Sequence, residues 1–150
     1  MPTSRRDFLK KSLYGLLALL GLGFLIPAVG VLSPAGDREK ELVFYPLLAE
    51  DEVPRSGVRK AELQYSVAGK MRKSRVFVVS RSGDLSVLSA TCSHLGCLVN
   101  YHKDKGEFIC PCHGGRYDLQ GRNIAGPPPA PLTRFPVENR GGVIYVGVKV

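Results

Sequence analysis

The sequence has no tryptophan, and only three of its 150 residues are histidine. It contains no Ser-His-Asp set and no glycine-rich phosphate loop, so it does not read as an enzyme that catalyses alone. No internal repeat is visible, which removes solenoids and propellers. A chain of this length holds one domain and a short extra segment, not two full domains. Acidic residues are scarce, 13 against 21 basic ones, and the net charge is +8. Arg5, Arg6, Lys10 and Lys11 against Asp7 account for +3 within residues 1–32, leaving +5 spread over the other 118. There is no basic run and no interleaving of bases with aromatics, so the charge reads as a solvated surface and not as a nucleic-acid interface.

Charge is missing altogether from residues 13–32. At ~1.5 Å rise per residue those 20 residues reach ~30 Å, the thickness of a bilayer's hydrocarbon core. Gly15, Gly21, Gly23, Pro27 and Gly30 weaken a soluble helix but are tolerated in a membrane span. The bases precede the span and the flank after it is nearly balanced, so the N-terminus is expected in the cytoplasm and the rest across the membrane. Ser4-Arg5-Arg6-Asp7-Phe8-Leu9-Lys10 resembles a twin-arginine export signal, read by a translocase that moves folded proteins. Ala28-Val29-Gly30 offers a cleavage site, but the apolar block exceeds the ~7–15 residues of a signal peptide. It is therefore expected to stay as an anchor. The reading is a signal region at 1–12, a transmembrane helix at 13–32, a linker at 33–42 and a domain at 43–150. Pro34, Gly36 and the run Asp37-Arg38-Glu39-Lys40-Glu41 give the linker little to pack.

Turn formers, by contrast, are plentiful: 17 Gly and 11 Pro suit an all-β domain of short strands. Ala61, Leu63, Tyr65 and Val67 alternate with polar residues, and Val76, Phe77, Val78 and Val79 form a short apolar run. Ser82-Gly83-Asp84 turns into residues 85–88. Residues 132–137 lead through Asn139-Arg140-Gly141-Gly142 into a last strand, 143–150. Residues 51–57 read as a turn or short helix.

All four cysteines lie between positions 92 and 112, and two of the three histidines lie in the same two short stretches. They form Cys92-Ser93-His94-Leu95-Gly96-Cys97 and Cys110-Pro111-Cys112-His113-Gly114-Gly115. The 12 residues between read as a hairpin: 98–102 out, Lys103-Asp104-Lys105-Gly106 as the turn, 107–109 back. A hairpin brings its ends together, so both Cys/His stretches become neighbouring loops. Six potential ligands exceed what one tetrahedral metal or one [2Fe–2S] cluster needs. Zinc would strand the histidines, and two disulfides would leave them unexplained. His102, on the hairpin arm, reads as a solvated strand residue.

These stretches resemble the cluster loops of the Rieske subunits of quinol–cytochrome c oxidoreductases, here of the bacterial, twin-arginine-exported kind. The resemblance runs from about Phe44 onward and is strongest over residues 90–133. It implies a Rieske-type antiparallel fold, small stacked sheets with a cluster-binding hairpin subdomain, behind one N-terminal helix. It implies one [2Fe–2S] cluster, with Cys92 and Cys110 on one iron, His94 and His113 on the other, and Cys97 joined to Cys112. His94 or His113 would meet quinol and accept its proton. A diheme cytochrome b and a c-type cytochrome are the implied partners, and the domain is expected on the outer face of the cytoplasmic membrane. The small Rieske subunits of exported molybdenum oxidases, such as those acting on arsenite, are similar too. The soluble ferredoxins of ring-hydroxylating oxygenases lack the span and the cysteine pair.

Two imidazoles in place of two thiolates remove negative charge and raise a cluster's potential to roughly −150 to +300 mV. High-potential relatives carry a Ser after the His-Gly of the second loop, bonded to a bridging sulfur, and a Tyr two residues later, bonded to a ligand cysteine sulfur. This chain has Tyr117 but Gly115, so a lower potential suited to menaquinol is expected, and Ser at 115 is expected to raise it. Gly126-Pro127-Pro128-Pro129-Ala130-Pro131-Leu132 resembles the proline segment covering the cluster, with Pro127 in it. Leu95 is expected on the apolar rim of the quinol site.

Overall fold

The computed structural model describes residues 4–32, 41–81 and 83–150. The expected linker lies outside the described residues except for Glu41 and Leu42, as does Ser82 of the expected turn. The chain forms two units, an N-terminal helical one and the β domain.

Helix α1 spans Arg5–Leu32, so it begins eight residues before the uncharged block. Ser4 sets its start: the hydroxyl accepts the Arg6 N–H at 3.2 Å and the carbonyl accepts that of Phe8 at 3.0 Å. Asp7 in the first turn complements the positive end of the helix dipole. None of its residues is buried, and the helix is long and apolar enough to cross a membrane. At 28 residues it reaches ~42 Å, so the two basic turns exceed the hydrocarbon core.

In the β domain all strand pairs are antiparallel, in three small sheets. β1 (Leu42–Ala49), β10 (Val137–Arg140) and β11 (Val143–Lys149) form the first, in the order β1-β11-β10. Leu42 opposes Lys149, and Pro46 is accommodated because β1 is an edge strand with a register shift there. β2 (Gly57–Val67), β3 (Lys70–Arg81), β4 (Asp84–Ser89) and β9 (Arg134–Phe135) form the second, in that order. The expected segment 132–137 is thus split: Pro136 separates β9, which pairs with β4, from β10, which pairs with β11. β5 (Asn100–His102), β6 (Glu107–Ile109), β7 (Arg116–Tyr117) and β8 (Asn123–Ala125) form the third sheet, which carries the cysteines and histidines on its loops. The expected turn or helix near 51–57 is one 3₁₀ turn, Glu50–Glu52.

The second sheet is the middle layer. From β3, Val76 and Val78 face a core with Leu63, Val87, Ile144, Val146 and Val148, shared with the first sheet. Phe77 and Val79 face the other way, into a core with Leu88, Val99, Phe108 and Tyr117, shared with the third. The apolar run therefore has no solvent side, as continuous apolar strands require. Phe108 lies against Phe77 with ring centroids 4.6 Å apart, and both are fully buried. This contact seats the hairpin on the middle layer.

Candidate metal centre

The hairpin forms as the spacing predicts. Asn100 opposes Ile109 and His102 opposes Glu107, with His102 exposed. Both Cys/His loops consequently emerge at one tip, and they share a backbone design. The Cys92 N–H bonds the Cys97 carbonyl at 2.8 Å and the Gly96 N–H bonds the Cys92 carbonyl at 3.1 Å. In the second loop the Cys110 N–H bonds the Gly115 carbonyl at 2.8 Å and the Gly114 N–H bonds the Cys110 carbonyl at 3.1 Å. Gly96 and Gly114, each four residues after its first cysteine, have φ of +73° and +68°. A side chain there would be strained, so each loop closes on a glycine. A disulfide joins Cys97 to Cys112 and ties the loops together.

That bond leaves Cys92 and Cys110 as free thiols, both buried. The Sγ atoms of Cys97, Cys110 and Cys112 lie within 4.8 Å of one another, but two of them are spent on the disulfide and offer no zinc site. The His94 and His113 rings meet edge to face, centroids 5.0 Å apart. His94 is half-buried and His113 exposed. The donors thus divide into two thiols and two imidazoles. His94 Nδ1 is buried with no hydrogen-bond partner, a state costing about 1–3 kcal/mol unless something fills it. A metal ion at that nitrogen would do so.

Burial raises the Cys92 thiol pKa, but the Tyr117 hydroxyl, the backbone of His94 and Leu95 and the Cys110 thiol outweigh it and hold the thiol below its ordinary value. Tyr117 has no exposed surface, and its hydroxyl sits 3.2 Å from Cys92 Sγ. Burial, and then the Cys92 contact, push its phenol up. It keeps its proton and can donate to sulfur. Ser93 links this pair to the proline segment: its hydroxyl is 3.3 Å from the Tyr117 hydroxyl and donates to the Ala130 carbonyl.

Two free thiols, two imidazoles, an orphaned ring nitrogen and a disulfide across the loops fit an iron–sulfur cluster with mixed ligands. The model of the Rieske [2Fe–2S] domain matches residues 44–136. The chain belongs to the Rieske family. Its cofactor is accordingly one [2Fe–2S] cluster. An iron–sulfur subunit of the cytochrome b6-f complex from Chlorobaculum thiosulfatiphilum is 34% identical to it, over 95% of this chain and 74% of the relative. The menaquinol:cytochrome c reductase iron–sulfur subunit of Bacillus subtilis is 33% identical, over 96% and 91%. A chain from a hyperthermophilic respiratory complex III is 27% identical over 90% of this chain and 98% of its own length, with a TM-score of 0.46.

In this Rieske chain Leu95 stands at the tip, 69% exposed. Pro127 is exposed, and it is Pro128 that packs against the second loop, buried beside Gly115. Ser93, Gly96, Gly114 and Pro128 went unnamed as site residues in the sequence. Only the glycines had a signal, their equal offset from Cys92 and Cys110. A cleft of about 260 Å³ is lined by Lys60, Arg75, Phe77 and Leu98 among others.

Proposed function

We propose that this protein is the electron-transfer subunit of a quinol–cytochrome c reductase of the cytochrome bc type, working from menaquinol to a c-type cytochrome beside a diheme cytochrome b. The observation that carries the reading is the exposed tip on which the two thiols, the two imidazoles and the orphaned His94 Nδ1 converge. A membrane-length helix on the same chain and the names of the two relatives support it. Cys92 and Cys110 would hold one iron, and His94 and His113 the other. When bound, the [2Fe–2S] group supplies a one-electron acceptor of raised potential. His94, engaged at Nδ1, keeps Nε2 for the proton of a quinol hydroxyl, and the exposed ring of His113 offers an equivalent nitrogen. Leu95 gives the quinol ring an apolar surface to rest on. Tyr117 donates a hydrogen bond toward Cys92, but Gly115 brings no hydroxyl to the second loop, which favours a lower potential and hence menaquinol. The N-terminus stays in the cytoplasm after twin-arginine export, with the domain at 43–150 outside.

An EPR-monitored redox titration of the full chain at several pH values tests this. The expected result is a Rieske-type signal with a low midpoint that falls as pH rises, because the reduced form holds the proton more tightly. A high midpoint would overturn the menaquinol assignment. Full metal occupancy with no signal on reduction would mean zinc and no redox role.

A further inference from the structure

Gly115 is not an empty place waiting for a hydroxyl. A Cβ built there would lie 2.5 Å from Pro128 Cγ and 2.9 Å from Pro128 Cδ. Gly126 also approaches, at φ +88°, so closely that a Cβ on it would fall 2.8 Å from Gly115 Cα and 3.0 Å from the Gly114 carbonyl oxygen. Residues 126–128 are therefore pressed onto the second loop, backbone against backbone at Gly126 and ring against backbone at Pro128. Pro128 is buried, and Ser93 anchors the far side of the segment through Ala130. A proline ring has little freedom to withdraw. The next nearest atom to a Cβ at 115 is Cys110 Cβ, at 3.7 Å. A side chain at this position would thus lie beside Cys110, one of the two cysteines left free by the disulfide.

We propose that Pro128 is a positioning residue for the potential of the centre: it fills the space that a hydroxyl donor at 115 would need, so Gly115 and Pro128 together keep the potential low. The inference rests on the cluster assignment to Cys92, His94, Cys110 and His113. Its chemistry is that of hydrogen bonds to cluster sulfurs, which stabilise the more negative reduced state. Gly115→Ser by itself meets the Pro128 ring, and either the serine or the proline segment is displaced. Shortening residue 128 opens the place for the hydroxyl.

The test uses the full chain with its cluster, as wild type, Gly115→Ser, Pro128→Ala and the double variant, in EPR-monitored potentiometric titrations. Either single variant is expected to move the midpoint little. The double variant is expected to move it upward by clearly more than the sum of the two. Gly115→Ser alone rising as far as the double variant would overturn the proposal, and so would a double variant that stays at the wild-type midpoint. The steric premise is read separately by thermal unfolding. Gly115→Ala should lower the melting temperature in the wild-type background and much less in the Pro128→Ala background; equal losses would also overturn it. A wild-type protein without a Rieske signal would instead remove the function on which the inference stands, and that is seen before any variant is made.

Discussion

Tyr117 is the side chain through which the β core reaches Cys92, a proposed ligand of the cluster. It is fully buried, its proton is retained, and its hydroxyl lies 3.2 Å from Cys92 Sγ. Tyr117→Phe keeps the ring and removes the donor, so the reduced state loses more than the oxidised state and the midpoint falls. For a one-electron centre a differential loss of about 1 kcal/mol corresponds to about 40 mV, and a potentiometric titration of the variant reads it. At this scale the sequence was legible where chemistry has a spacing. Cys92, His94, Cys110 and His113 stand out by type and interval, whereas Tyr117 is singled out only by the family resemblance. Ser93 does not stand out, because a serine beside a cysteine carries no interval, and its partners lie 24 and 37 residues away. Gly115 was readable only as a missing hydroxyl. That a proline 13 positions on occupies its space depends on the path of the backbone, as does the choice of Pro128 over Pro127.

At the scale of elements, the two loops are one device used twice, each closed by an i→i+4 glycine and held to the other by the disulfide. The bond spans 15 residues, for which loop entropy in the unfolded chain contributes about 3 kcal/mol. The Cys97→Ser, Cys112→Ser variant is expected to lose about that much in denaturant unfolding of the whole protein, and to release its iron faster. The turn between β2 and β3 makes the opposite prediction. Ala68 has φ +49° beside Gly69 at +76°, the double left-handed geometry of a two-residue hairpin turn, and alanine resists it. Ala68→Asn should stabilise the domain by about 0.5–1 kcal/mol, seen as a higher urea midpoint at unchanged m. Alternation and turn residues made the strands legible around 61–67, 76–79 and 98–109. The polar start of β3 had no such pattern; residues 70–73 are exposed, and they are strand because β2 pairs with them along its whole length. The division at Pro136 was hidden for a different reason. Proline ends a ladder, but which sheets the two pieces then join is decided by residues far along the chain.

For the whole molecule, the helix and the β domain are separate units, and the strands of the domain pair only with one another. Removing residues 1–40 is expected to give a detergent-free protein with the EPR signal and midpoint of the full chain, checked by titrating both. A shifted midpoint would mean that the helix shapes the tip. The three-layer stacking could be expected only through the family resemblance, since alternation shows that a strand is amphipathic and not what it packs against. The middle layer has a further consequence. Val76, Phe77, Val78 and Val79 are party-wall residues, each belonging to one of two adjoining rooms. A slip of β3 by one position would exchange the furniture of both at once. The placement of the tip therefore depends partly on Val76 and Val78, which never approach it and sit on the far side of the wall.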